Sequence, residues 1–502
     1  MADKFARRVY LLSPRALSPE TIAVTFAKTS RSAQTFDEIA AELTDEKSAQ
    51  FHEKWVVGYG HASVAEHAVL HVAFENVSRL AIETIESNRL ASYTEKSTRY
   101  QRWEPDGYYV PAEVLSTEFE ADYRSACQAL FDAYRESLEP VRRVVQERIP
   151  RRDGESDAGW DGRIRARYVD VCRFLLPAAA LANVGMTANA RTLEHAIRKM
   201  LSHPLDEVRR LGEETRQAAQ AEIPTLLKYA DPVPYVSQAE ARLAQEARSF
   251  PEEDPIRPSA NTGALRGVLP GGRDGRDGVT AGASKPAILA AWEAQGEAKV
   301  LAAALFAHGQ ASWSEILSQV EGRSDDERRR LAEALLSGRG PHDVPLRALE
   351  YTSYVFEIVI DQGGYFELKR HRMMTQTPQR LTTGLGYAVP RLFAEAGWEA
   401  AYREALNAAG EAHQRLAGWN PDVAAYLVPN AYRRRVLLTA NLREIFHLCE
   451  LRSASNAHFS IRRAALQIAE AIRSVHPVLG AFLQLPEGAD WRALEAEHFI
   501  EA

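Results

Sequence analysis

Lys369-Arg370-His371-Arg372 sets four potentially cationic groups in a row. Such a run is either a solvated basic face or a phosphate site, because guanidinium groups grip phosphate oxygens bidentately and stay charged at any relevant pH. The Thr-rich stretch that follows would add hydroxyl donors. A second polar run, Ser92-Tyr93-Thr94-Glu95-Lys96-Ser97-Thr98-Arg99-Tyr100, combines hydroxyls, a carboxylate and an arginine. It is either a capping box, Ser92-x-x-Glu95, that starts a helix, or a loop gripping a nucleotide, with Arg99 on phosphate and Ser97 near base or phosphate. Gly60-His61-Ala62-Ser63 precedes Glu66-His67 and His71. The i, i+4 pair His67 and His71 invites a metal reading. A zincin needs His-Glu-x-x-His, and no Cys or carboxylate cluster completes a shell, so these are expected to be structural or cofactor-contact histidines and no metal is expected. No G-x-G-x-x-G follows a strand, and there is no Walker-type loop and no G-x-S-x-G nucleophile elbow.

These residues sit in a chain of 502, which suggests two to four domains or an internal duplication. Apolar residues make up 45% and charged residues 26%, as in ordinary globular proteins, which excludes disorder for the bulk of the chain. The balance of 61 Lys+Arg against 68 Asp+Glu, a formal charge of −7, leaves no global nucleic-acid footprint. Cys127, Cys172 and Cys449 show no C-x-x-C or zinc pattern, and their low density fits a reducing cytosol. The N-terminal residues lack a signal-peptide pattern, and no run of about 18 apolar residues suggests a membrane span. The expectation is a cytoplasmic protein with no membrane or nucleic-acid partner.

The main break is the stretch 258–286, with seven glycines in 29 residues. On either side the same elements recur. FENVSRL at 74–80 faces FEIVIDQ at 356–362, and NARTLEHAIRKM at 189–200 faces NLREIFHLCELR at 441–452. Pro177 and Pro429 each end a Leu-Leu-Pro or Leu-Val-Pro 12 residues before the Asn. A tandem duplication is the best account: a first repeat at 1–235, a linker region at 236–282 that is Gly-rich in its second half, and a second repeat at 283–502. Apolar spacing predicts helices at 36–57, 62–73, 119–139 (ended or kinked at Pro140 before 141–148), 193–218 with a break at Pro204, and 443–475. Strand candidates are 8–12, 68–77 as an alternative to helix, and the aromatic and β-branched 354–360. The fold class is α+β, with two related lobes of mixed helix and sheet.

Together these segments resemble the flavin-dependent thymidylate synthases, whose signature is RHRxxSxNExSxRY. The first half carries GHASVAEH (60–67), FENVSRL, SNRLASYTEKSTRY (87–100), RFLLP (173–177) and NARTL. The second carries RHRMMT (370–375) and NLREIFHLCELR. Each half has largely lost what the other kept. The RHR opening is Ser87-Asn88-Arg89 in the first half, while the end survives as Glu95, Ser97, Arg99 and Tyr100. In the second half the RHR survives, but the end has become Pro378-Gln379-Arg380-Leu381-Thr382-Thr383. Arg173 before Leu-Pro is matched by Ala425, and the closing Arg452 by Met200. Composite sites, with one side supplied by each repeat, would account for this sorting.

The resemblance implies reductive methylation of dUMP, with methylenetetrahydrofolate supplying the carbon and FAD, reduced by NADPH, the hydride. It implies a homodimer of duplicated chains that imitates a tetramer. Arg99, Ser97, Glu95 and Arg173 would hold the nucleotide from the first repeat, and Arg370 and Arg452 from the second. Arg452 would stabilise developing enolate charge, with Ser97 as its catalytic companion. His371, Arg372, Arg370, Asn441 and Arg443 would contact FAD, with His61, Ser63 and Glu95 from the other side. Glu367 stands where the family has Gln, and an ionised carboxylate accepts but cannot donate. That departure keeps two alternatives open: a flavin-dependent modification of another pyrimidine nucleotide, and a non-catalytic flavin- or nucleotide-binding homologue.

Overall fold

The computed structural model describes residues 12–29, 32, 34–58, 62–97, 99, 103–250 and 287–501. The strand expected at 8–12 falls, but for Leu12, outside the described residues, as do His61 and the glycine-rich stretch 258–286. The chain forms two compact units. The first contains Met1–Ser97, Tyr108–Glu120 and Ala179–Pro251; the second contains Thr98–Gly107, Ala121–Ala178 and Glu252–Ala502.

In the first unit, β1 (Val69–Ser78), β2 (Ala91–Glu95) and β3 (Leu181–Asn189) form an antiparallel sheet of order β1-β3-β2. Buried and partly exposed residues alternate along β3, placing Ala182, Val184, Met186 and Ala188 on the core face. Ser78 caps the helix Arg79–Glu86 and Asn189 caps the helix Ala190–Leu201, each side-chain oxygen accepting from a backbone N–H three residues on. The break near Pro204 is present, and a second helix runs Asp206–Gln220.

Three expectations are corrected here. The segment 62–73 is not one helix: a 3-10 turn Ala62–His67 leads into β1. Leu70 and Phe74 lie four apart, a spacing that suits one face of a helix and one face of a strand equally, and pairing with β3 decides for the strand. The Ser92-x-x-Glu95 run is not a capping box but part of β2, where Tyr93 is registered with Met186. The expected helix at 36–57 is likewise broken into Phe36–Ala41, Asp45–His52 and a short π-helical turn Glu53–Gly58.

In the second unit, β4 (Ala287–Trp292), β5 (Ser353–Asp361), β6 (Thr375–Pro378) and β8 (Arg433–Asn441) form an antiparallel sheet of order β4-β5-β8-β6. The short strands β7 (Val389–Pro390) and β9 (Phe499–Glu501) pair separately. The order β5-β8-β6 repeats β1-β3-β2 in sequence and in space, so the duplicated unit folds the same way twice. Tyr354, Phe356, Ile358 and Ile360 alternate onto the buried face of β5 and meet Val436, Leu438 and Ala440 of β8. Against them pack Ile445 and Phe446 of the helix Leu442–Arg452 and Ile461 and Ile468 of the helix Phe459–Val475. Each such side chain contributes about 1.5–3 kcal/mol by leaving water. The expected single helix at 443–475 is two, because His458 caps a new start.

First-repeat helices also belong to this unit. The helix Glu120–Arg148 continues through Pro140, with Ser137 and Val141 buried on either side of it, and is followed by the helix Asp157–Cys172. Backbone bonds Ala431 N–H to Phe174 O and Asn430 N–H to Leu176 O, both 3.0 Å, join the segment after them to the second repeat. Gly363 allows the Phe174 ring to approach the helix Gln362–Leu368, since a Cβ there would lie 3.0 Å from the ring.

Candidate functional site

Four local devices position the polar side chains of the second unit. Asp361 caps the helix Gln362–Leu368, its Oδ1 accepting from Gly364 N–H at 2.8 Å, and that helix carries Glu367 in its last turn. Asn441 caps the helix Leu442–Arg452 by accepting from Glu444 N–H at 2.9 Å, which sets Glu444 in the first turn and Arg452 at the end. The helix Asp157–Cys172 presents Asp170 and passes into a 3-10 turn that presents Arg173. The matching turn of the second repeat holds Ala425 in the same place. Arg99 lies in the short first-repeat segment that belongs to this unit.

These residues converge. Arg99 donates from Nε to Asp170 at 2.8 Å, from Nη1 to the Asn456 carbonyl at 2.8 Å, and pairs through Nη2 with Glu367 Oε1 at 3.3 Å. Arg173 shares the same Asp170 oxygen at 3.2 Å. Arg452 donates from Nη1 to Glu367 Oε2 at 3.0 Å and from Nε to His371 Nε2 at 2.9 Å. His371 Nδ1 lies 2.9 Å from Glu444 Oε1. The backbone N–H of His458 donates to Glu367 Oε1 at 3.2 Å, and its ring Nε2 is 3.4 Å from the Asp170 carbonyl. One continuous polar chain therefore runs Arg173, Asp170, Arg99, Glu367, Arg452, His371, Glu444, crossing from first-repeat to second-repeat residues at the Arg99–Glu367 pair.

Asp170, Arg173, Glu367, His371 and Glu444 are all buried, and the Arg99 and Arg452 side chains are only 17% and 13% exposed. Ion pairs this sheltered are weakly screened, and removing one partner would leave a buried charge uncompensated. Burial holds His371 below the usual imidazole range; Glu444 opposes that shift, and the Arg452 cation adds to it. Burial likewise lowers Arg452, although Glu367 works against it, and it holds His458 well below its ordinary range.

The remaining sequence-predicted residues have other surroundings. Arg370 is exposed and close enough to Arg452 for the two cations to repel, and Arg372 is half-buried. Asn441 is engaged as a helix cap. Arg443 donates to the Pro345 carbonyl at 2.8 Å and to Glu350 at 2.9 Å. Ser63, Glu95 and Ser97 belong to the first unit. There Ser63 is exposed in its 3-10 turn, and Glu95 pairs with Arg79 at 3.0 Å, both side chains 3% exposed. His71 lies on β1 with its Nδ1 2.8 Å from Thr187 Oγ1. In the second repeat, Ser312 and Glu315 form a capping box. Sequence reasoning missed Asp170, Glu444 and His458 as site residues. Asp170 had a signal in its i, i+3 helical spacing from Arg173, and Glu444 in its place three residues after the capping Asn441.

The family described as thymidylate synthase complementing protein matches this chain twice, at residues 13–225 and 288–478. A UPF0159 protein of Chlamydia muridarum (strain MoPn / Nigg) is 30% identical over 457 residues, covering 88% of this chain and 82% of the relative. A UPF0159 protein of Thermoplasma acidophilum is 27% identical, covering 90% and 91%. A flavin-dependent thymidylate synthase of Clostridium tetani is 28% identical over 222 residues, covering 43% of this chain and 83% of the relative. Two matched regions, the repeated strand order and the length of the similar proteins agree: the chain belongs to the thymidylate synthase complementing protein family, the flavin-dependent thymidylate synthases, and carries the family unit twice.

Proposed function

We propose that this protein carries out flavin-dependent reductive methylation of dUMP to dTMP, at composite sites built from both repeats of a chain. The observation that carries the reading is the meeting of Arg99 from the first repeat and Arg452 from the second on the two oxygens of one carboxylate. Arginines that converge in this way from both copies are what a shared nucleotide site requires. The charged ends of Arg99 and Arg173 would hold the phosphate, with Ser97 and Glu95, two and four residues before Arg99 in the same sequence motif, as further nucleotide contacts. Arg452 would face the uracil carbonyls and stabilise the enolate charge that develops as C5 becomes nucleophilic.

The donor chemistry around His371 fits a flavin dinucleotide in part. Arg370 and Arg372 carry the guanidinium donors that a diphosphate takes. His371, Asn441 and Arg443 are committed to protein partners and would position those arginines. His61, Ser63 and Glu95 would supply the other side. Reduced by NADPH, the FAD would supply the hydride, with methylenetetrahydrofolate as carbon donor. None of the three cysteines is suited to act as a nucleophile, since each is buried and its thiol is pushed up by desolvation. A cytoplasmic homodimer with four lobes is part of the same proposal; among the described residues no helix is long and apolar enough to cross a membrane.

A second reading has its own observation. Glu367 is an acceptor-only carboxylate in the middle of the arginines, which favours a pyrimidine nucleotide whose base offers donors. The deciding experiment is to purify the protein, record its flavin spectrum, and assay tritium release from C5-labelled dUMP with NADPH and methylenetetrahydrofolate. Bound flavin with tritium release is expected. Bound flavin without release moves the assignment to another nucleotide or to a non-catalytic role, and no flavin after reconstitution would overturn both catalytic readings.

A further inference from the structure

Glu367 is held by three donors. Arg99 Nη2 and the His458 N–H approach Oε1 at 3.3 and 3.2 Å, and Arg452 Nη1 approaches Oε2 at 3.0 Å. His458 is the N-cap of the 17-residue helix Phe459–Val475, so its N–H lies at the positive end of a long helix. A guanidinium group and one such N–H on a single oxygen of an anion, with Arg173 held beside Arg99 on Asp170, are donors of the kind that a phosphate takes. The surroundings are also balanced in charge. Arg99, Arg173 and Arg452 face Asp170, Glu367 and Glu444. His371 is neutral in this arrangement, because Arg452 Nε–H can only donate and so requires an unprotonated Nε2.

Building on the nucleotide-binding reading above, we propose that Glu367 fills, with its own carboxylate, the place beside Arg99 that a nucleoside monophosphate gives to its phosphate, and that the nucleotide binds by exchanging with it, which leaves Arg452 to the base. Glu367 is then a specificity-determining residue. A phosphate dianion can displace a carboxylate from Arg99 and the helix N–H, since it brings more charge and a third oxygen. A neutral nucleoside has nothing with which to displace it. The internal carboxylate also keeps Arg99 and Arg452 paired and oriented while no nucleotide is bound, which avoids leaving two sheltered cations without an anion.

The test is calorimetric titration of the full-length protein with dUMP, deoxyuridine and orthophosphate, for the wild type and Glu367→Gln. The variant is expected to bind dUMP and orthophosphate at least tenfold more tightly than the wild type, with deoxyuridine unchanged. Wild-type protein that binds dUMP as tightly as the variant, or more tightly, overturns the exchange while leaving the nucleotide reading in place. Failure of both proteins to bind dUMP overturns that reading, and this inference with it. If Glu367→Gln does not fold by circular dichroism, Glu367→Asp takes its place, keeping the charge but withdrawing it by one methylene. A gain of threefold or more in dUMP affinity then supports the exchange, and no gain overturns it.

Discussion

Arg452 donates from Nε to Nε2 of His371 at 2.9 Å, and this bond decides where the histidine keeps its proton. Arginine has no acceptor, so Nε2 must be bare, and the ring proton is on Nδ1, donated to Glu444. Glu444 therefore orients His371, His371 orients Arg452, and Arg452 is the group expected to face the substrate base. The histidine of the RHR run acts here as a buried strut between the first and last turns of the helix Leu442–Arg452.

That strut should make the protein acid-sensitive. Burial places the folded pKa of His371 below its unfolded value of about 6.5, so the unfolded chain takes up its proton first as pH falls. Its contribution to stability is complete above about pH 6.5 and is lost as pH drops below that. Thermal melts between pH 7.5 and 5.5 should show a falling Tm, and the slope should be shallower in His371→Gln. His52, His195, His203, His413, His458, His476 and His498 are shifted in the same direction by burial and will supply the residual slope. An unchanged slope in the variant would contradict this account of His371.

Loss of the composite arginines should abolish turnover, whereas loss of a degenerate counterpart should not. Arg99→Ala and Arg370→Ala should each lower the tritium-release rate by about a hundredfold or more. Arg380 pairs with Asp422 at 3.1 Å on the surface, with its side chain 48% exposed. Arg380→Ala should change stability by less than about 1 kcal/mol and leave turnover intact. An equal loss there would defeat the idea that the two repeats have divided the site between them.

Because Arg99 and Arg452 meet in the same compact unit of one chain, their roles should not complement between molecules. Mixing Arg99→Ala with Arg452→Ala protein should restore no activity. Recovery on mixing would show that sites form between chains.

Asp170 holds two sheltered cations, Arg99 and Arg173, on one oxygen. Asp170→Ala should lower stability by about 3–5 kcal/mol, the cost of a buried charge left without its partner, read as a lower urea midpoint at unchanged slope. A loss below about 1 kcal/mol would mean that Glu367 alone suffices for Arg99.

The thiols should be inert in the native state. Cys172 is pushed up to about 12 by burial, and Cys127 and Cys449 are raised still further for the same reason. Iodoacetamide should leave the folded protein unlabelled and its turnover unchanged, with three sites reacting after denaturation. Inactivation by native-state alkylation would bring a cysteine back into the mechanism.

The features legible in the sequence were those set by neighbours along the chain. Asn189 and Asn441 cap their helices because a side-chain oxygen reaches a backbone N–H three residues on, a local event. The alternation of 354–360 placed a buried strand correctly, since period two and β-branched residues coincide there. The duplication showed in shared order, spacing and residue type, and the two sheets repeat the same strand order. At 62–73, where helix and strand were both open locally, pairing with β3 decided for the strand; Ser92 to Glu95, read as a capping box or a nucleotide-gripping loop, became strand β2 through the same partner. That partner strand is roughly 90 to 120 residues further along the chain, and periodicity carries no information about it.

The sequence by itself determined the family and the two copies, because those are matters of residue type and order. Only the tertiary structure decided that Asp170 and Glu367 stand among the arginines, and that Arg99 and Arg452 share one carboxylate. The reason is electrostatic. Arginines gathered from distant segments into a sheltered place repel one another unless carboxylates come with them, and which carboxylates arrive depends on how helices from the two repeats pack.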